Sequence, residues 1–159
     1  MKALRFLLAA LAFAGLSACY TSEAPLISNE DAAAPFQKIT FFQDNKPIIF
    51  VLDGKTYKTR PEGETEDLLL RLKPVEGDYY VAQLGPEKGG AQILYGYLKL
   101  DAANKTAEAW RTVGTKADIR PGFRQCQDAL CIDDLAVYIA YGKEAIGGKP
   151  ELSFKIETE

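Results

Sequence analysis

The most reactive side chains in this 159-residue sequence are three cysteines, with Cys19 set apart and Cys126 and Cys131 close together. In an oxidising compartment the close pair reads as a local disulfide that staples the loop Gln127 to Leu130. So short a closure fixes local geometry more than it removes chain entropy. Thioredoxin-like redox chemistry uses Cys-x-x-Cys rather than this Cys-x4-Cys spacing, and a structural zinc site wants four Cys or His ligands. The chain has no histidine. Its absence removes Ser-His-Asp and Cys-His nucleophiles, histidine metal sites and the usual proton shuttle near neutral pH. Catalysis would then rest on carboxylates or lysine. Acid pairs occur at Glu62/Glu64, Glu66/Asp67 and Asp133/Asp134, and a glycosidase needs two carboxyls roughly 5–10 Å apart across a cleft. Neighbouring acids in a polar stretch read more simply as solvated surface. Asp133-Asp134 reads as a helix start, where negative charge meets the positive end of the dipole. No catalytic residue is nominated.

Phosphate chemistry fares no better. Gly85, Gly89, Gly90, Gly147 and Gly148 fall in turn-like stretches and form no phosphate-cradling pattern. Arg120 and Arg124 flank Pro121-Gly122, where two cations in one loop could grip a carboxylate or a glycan phosphate. A surface turn set by Pro-Gly accounts for the same residues. No cofactor motif is found.

The elements that would position these side chains are mostly strands. Phe36 to Phe42 and Pro47 to Leu52 are short apolar runs separated by Gln43-Asp44-Asn45-Lys46, which has turn composition. Asp53-Gly54 then marks a hairpin into Lys55 to Thr59, because glycine tolerates the positive φ of a primed turn. Pairing Leu52 with Lys55 sets Phe50 opposite Tyr57 and leaves Ile49 with Lys58 on a more exposed face. Further strands are expected at Asp67 to Lys73, Tyr79 to Leu84, Gln92 to Leu100, Ala107 to Thr112 and Leu152 to Ile156. Asp133 or Asp134 caps a helix with Leu135, Tyr138, Ile139, Gly142 and Ile146 at helical spacing. The class is α+β: a strand-rich antiparallel sheet or small barrel with one C-terminal helix.

One hairpin offers a contact face. If Ala102 to Lys105 form its loop, Leu100 faces Ala107, Leu98 faces Ala109 and Gly96 faces Arg111. The opposite face pairs Lys99 with Glu108, Tyr97 with Trp110 and Tyr95 with Thr112. Aromatic rings on a sheet stack on sugars or anchor protein interfaces, so Tyr95, Tyr97 and Trp110 form a candidate binding face. The alternative is that the helix covers these rings as ordinary core.

The first residues carry an address. Lys2 and Arg5 give a positive start, Phe6 to Leu16 follow without a charge or a proline, and small residues end the run. The run is too short to cross a bilayer, which takes about 20 apolar residues. Leu16-Ser17-Ala18-Cys19 resembles the lipobox of bacterial lipoproteins. That resemblance covers residues 1–19 and implies a signal peptide over 1–18, cleavage before Cys19 and lipidation of Cys19. Two or more acyl chains hold a protein stably at a membrane. In the sorting rule of enteric-type bacteria an Asp after the cysteine retains the protein at the inner membrane. Tyr20 stands there, which points to the outer membrane.

Removing residues 1–18 takes Lys2 and Arg5 from 19 basic side chains and none from 22 acidic ones, leaving a formal charge of −5. Nucleic acid binding needs clustered Lys and Arg, which are missing. Residues 19–35 are polar or small and read as the lipidated cysteine and a flexible tether reaching roughly 50 Å, with Leu26 and Ile27 as docking points. Residues 36–159 are the right size for a single globular domain. The expectation is a non-catalytic binding or assembly module of the bacterial envelope, partnered with the membrane and with an envelope protein or glycan. The alternative is a carboxylate-dependent hydrolase acting on cell-wall or glycan material.

Overall fold

A computed structural model describes residues 20–87, 93–110, 120–126 and 129–159. The signal-like segment and Cys19 lie outside them. No described helix is long and apolar enough to cross a membrane.

The chain forms a closed eight-stranded antiparallel barrel. Strands β2 (Lys38–Gln43), β3 (Lys46–Asp53), β4 (Thr56–Thr59), β5 (Leu68–Glu76), β6 (Tyr79–Pro86), β7 (Ile93–Asp101) and β8 (Thr106–Trp110) each pair with the next. The ring is completed by β11 (Leu152–Thr158), which lies between β8 and β2. Closure leaves no free edge within the ring. Between β8 and β11 come β9 (Phe123–Cys126), β10 (Ala129–Ile132) and the helix α1 (Leu135–Ala145). The strand-rich antiparallel class with one helix near the C-terminus is therefore observed among the described residues.

Local chemistry explains the hairpins. Asp44 and Asn45 both have positive φ, as a two-residue type I′ turn requires. At the next turn the loop residues are Gly54-Lys55, with Gly54 at φ 66°. Glycine at the first loop position suits a type II′ turn. Leu52 therefore pairs with Tyr57 and Val51 with Lys58, correcting the expected partners. The slip is two residues in register, so the faces stay as expected. Phe50 and Tyr57 are buried, whereas Ile49 and Val51 are 45% and 52% exposed.

Alternate residues of the ring fill its interior, including Ile39, Phe41, Phe50, Tyr57, Leu70 and Leu72. A second core lies outside the β6–β7–β8 wall. There α1 covers Val81, Tyr95, Tyr97 and Trp110 with Tyr138 at its centre. Asp134 starts this helix, its carboxylate accepting from the Ala136 and Val137 amides at 2.8 and 3.3 Å.

The expected tether is overturned. Residues Tyr20–Ser22 form β1, antiparallel to β7 on one side and parallel to β10 on the other. Tyr20 is 2% exposed, and Ile27 and Ala32 are buried as well. The segment beyond β1 lies on the outer wall of the barrel, so the folded domain begins no later than Tyr20. The sequence lacked periodicity there because the attachment combines backbone pairing with single buried side chains, Tyr20, Ile27 and Ala32, that recur at no strand or helix spacing.

Candidate functional site

The β7–β8 hairpin has the expected register, with Tyr97 opposite Trp110, Lys99 opposite Glu108 and Leu100 opposite Ala107. Arg111 and Thr112 lie outside the described residues. The contact face proposed on it is corrected: Tyr95, Tyr97 and Trp110 are 3%, 0% and 5% exposed. The reason is α1. Tyr138 of the helix packs against Tyr95 and Tyr97 at ring distances of 6.0 and 5.7 Å, and the Tyr97 hydroxyl donates to the carbonyl of Ile139. Trp110 donates its indole N–H to Gly148 O at 3.1 Å. Burial pushes the phenols of Tyr95 and Tyr97 above their ordinary value. Alternation along the strands is symmetric between the two faces, so it could not say which face the helix would cover.

A residue missed in the sequence organises the wall nearby. Gln83 of β6 is 4% exposed, and its Oε1 accepts from the amides of Leu26 and Ile27 at 2.9 and 2.8 Å and from the Tyr95 hydroxyl at 2.9 Å. Ser22 Oγ lies 2.8 Å from that same hydroxyl. Arg71 holds Ile27 O at 3.2 Å, and Ala33 N–H donates to Leu72 O at 2.7 Å. Lys73 pairs with Asp31 at 2.8 Å, which with Ser28 holds the Asp31 carboxyl below its ordinary range. Leu26 and Ile27 do dock, as the sequence suggested. The signal for Gln83 was a lone amide in the apolar run Val81-Ala82-Gln83-Leu84, since a buried amide needs partners.

Cys126 and Cys131 form the expected disulfide, with Cα atoms 5.8 Å apart. It does not staple a plain loop, because both residues belong to paired strands of the β9–β10 hairpin. Thr21 Oγ1 lies 3.7 Å from each sulfur, placing β1 against the bridge.

Asp67, Asp133, Asp134 and both loop arginines have structural partners, whereas Glu64 Oε1 is buried without a hydrogen-bond partner. Asp67 pairs with Arg60 at 2.7 Å, Asp133 with Arg124 at 2.9 Å, and Asp134 caps α1. Arg124 also reaches Glu23 at 3.4 Å, and Arg120 stacks on the Tyr141 ring at 4.3 Å. Gly122 has φ 92°, as expected of a Pro-Gly turn. Among the described residues the buried polar side chains are Thr, Ser and Gln, with no carboxylate. No cluster of three potential metal ligands occurs among them either.

One concave feature among the described residues lies inside the barrel. A cavity of about 30 Å³ is walled by apolar residues that include Phe41, Phe50, Leu70, Leu98, Ala109 and Phe154. The volume would admit water, which needs roughly 10–15 Å³, but the wall has no polar groups to hold it. Of the lining residues only Phe154 is not fully buried.

No family model, curated protein or solved structure matches the chain.

Proposed function

We propose that this chain is a lipid-anchored protein of the bacterial envelope that acts as a non-catalytic binding module, taking a small uncharged apolar group into its barrel. The observation that carries this reading is the wholly apolar cavity between strands of a closed ring. An eight-stranded barrel is just wide enough to be filled by its side chains or to hold one small ligand. An apolar void forgoes dispersion contacts that a guest of similar chemistry restores. A longer guest, such as the end of an alkyl chain, enters by displacing Phe154. The anchor is supported by the charged start, the apolar run and the lipobox-like Leu16 to Cys19, and the outer membrane by Tyr20 after the cysteine. Burial of Tyr95, Tyr97 and Trp110 moves the proposed binding site from the hairpin surface to the interior.

The test is a titration of the protein with a short saturated fatty acid, following the methyl resonances of Ala82 and Ala109. Saturable shifts are expected in both, and Ala109→Leu, which fills the space, should abolish the Ala82 shift while leaving the circular dichroism unchanged. Absence of saturable shifts, or their persistence in a folded Ala109→Leu protein, would refute the interior site.

A further inference from the structure

We infer that the barrel is mounted directly on the lipid surface, without a stalk, by the strand that follows the attachment residue. The inference rests on the proposed lipidation of Cys19 and deepens it by stating how the domain meets its membrane. A flexible segment over residues 20–35 would let the domain stand roughly 50 Å away. Instead the first residue after Cys19 is already inside the fold. Tyr20 pairs with Tyr95 on β7 and with Leu130 on β10, and its ring packs against Phe123 and Tyr138 at 5.4 and 5.2 Å.

The strand pairings locate the attachment point. Along one edge of β7, β1 covers residues 93–95 and β8 covers 97–101. β1 therefore begins at Tyr20, opposite Tyr95 and next to the junction between the two strands, on the barrel wall. Because β1 and β10 run parallel and β9 is antiparallel to β10, the Cys126 end of the disulfide-linked hairpin points the same way. That edge is the one brought to the bilayer. β1 is held on both sides, so the acyl chains cannot enter the membrane without drawing the Tyr20 end of β1 close to its surface.

Trp110 is the chain's sole tryptophan, and it occupies the same edge of β7 as Tyr20, two positions along, about 7 Å at the strand rise. It is a built-in depth reporter. The full chain is processed in a bacterial host, the lipid on Cys19 is verified by mass, and the protein is placed in phosphatidylethanolamine and phosphatidylglycerol vesicles. Some vesicles carry nitroxide headgroups. Trp110 emission should fall roughly twofold on the nitroxide vesicles and recover when a Gly-Ser insert of roughly 20 residues, spanning about 25 Å, separates Cys19 from Tyr20. Emission unaffected by nitroxide in verified lipoprotein overturns direct mounting. If mass shows no lipid, the lipidation reading fails by itself. The mounting is then decided by the same quenching on residues 19–159 coupled through the Cys19 thiol to a maleimide lipid, where quenching supports it and its absence overturns it.

Discussion

The ring of Tyr97 occupies the space a side chain at Gly142 would need: a β-carbon built on Gly142 falls 1.8 Å from Cε2 of Tyr97. The helix can approach the barrel wall this closely only because residue 142 has no side chain. Gly142→Ala gains helix propensity of about 1 kcal/mol, but overpacking against a fixed ring costs about 1–3 kcal/mol or more. Net destabilisation is expected in urea unfolding, and Tyr97→Leu added to it should recover part of the loss as a positive coupling. Unchanged stability in Gly142→Ala would mean that α1 does not sit on Tyr97.

Gln83→Leu tests the docking of the N-terminal segment. It leaves the buried amide of Ile27 without its acceptor and takes one of two acceptors from Leu26 N–H, which also donates to the Tyr95 hydroxyl at 3.0 Å, and an unpaired buried donor costs about 1–3 kcal/mol. Amide exchange should accelerate at residues 26, 27 and 33 more than in β4 or β5. Equal protection in the variant and the natural protein would show that this segment is held by something else.

Alkaline pH should unfold the protein through its buried phenols. Burial raises Tyr57, Tyr95 and Tyr97 above the ordinary 10.0. A phenol whose folded pKa is raised contributes stability that is fully present below pH 10 and is lost as pH rises through the folded value. In a base titration part of the tyrosinate absorbance should therefore appear together with the loss of circular dichroism, above pH 10. Complete ionisation of all eight tyrosines in a folded protein would contradict the burial of these three.

The disulfide should act locally. Replacing both Cys126 and Cys131 by Ser removes a closure of five residues in sequence, for which the chain-entropy estimate is about 2 kcal/mol. Exchange should rise in β9, β10 and β1, which touches both sulfurs through Thr21, while the barrel interior remains protected. A uniform rise across β2 to β8 would show that the hairpin supports the whole ring.

The sequence by itself determined what short-range chemistry controls. The apolar runs located the strands of the ring, and the loop Ala102 to Lys105 set the register that places Tyr97 opposite Trp110. The spacing of Cys126 and Cys131 indicated their bond, and Asp134 marked the first turn of α1. Only the tertiary structure decided what lies over each face and that Tyr20 already belongs to the fold. Leu98 and Ala109 face the barrel interior while Tyr97 and Trp110 lie beneath α1, so both faces of one hairpin are core. Period-two alternation separates two faces but carries no information about what packs on either. The pairing of β2 with β11 and the insertion of Tyr20 between Tyr95 and Leu130 join residues far apart in the chain. Their hydrogen bonds run between backbone groups that every residue carries, which is why Tyr20 to Ser22 looked like part of a tether.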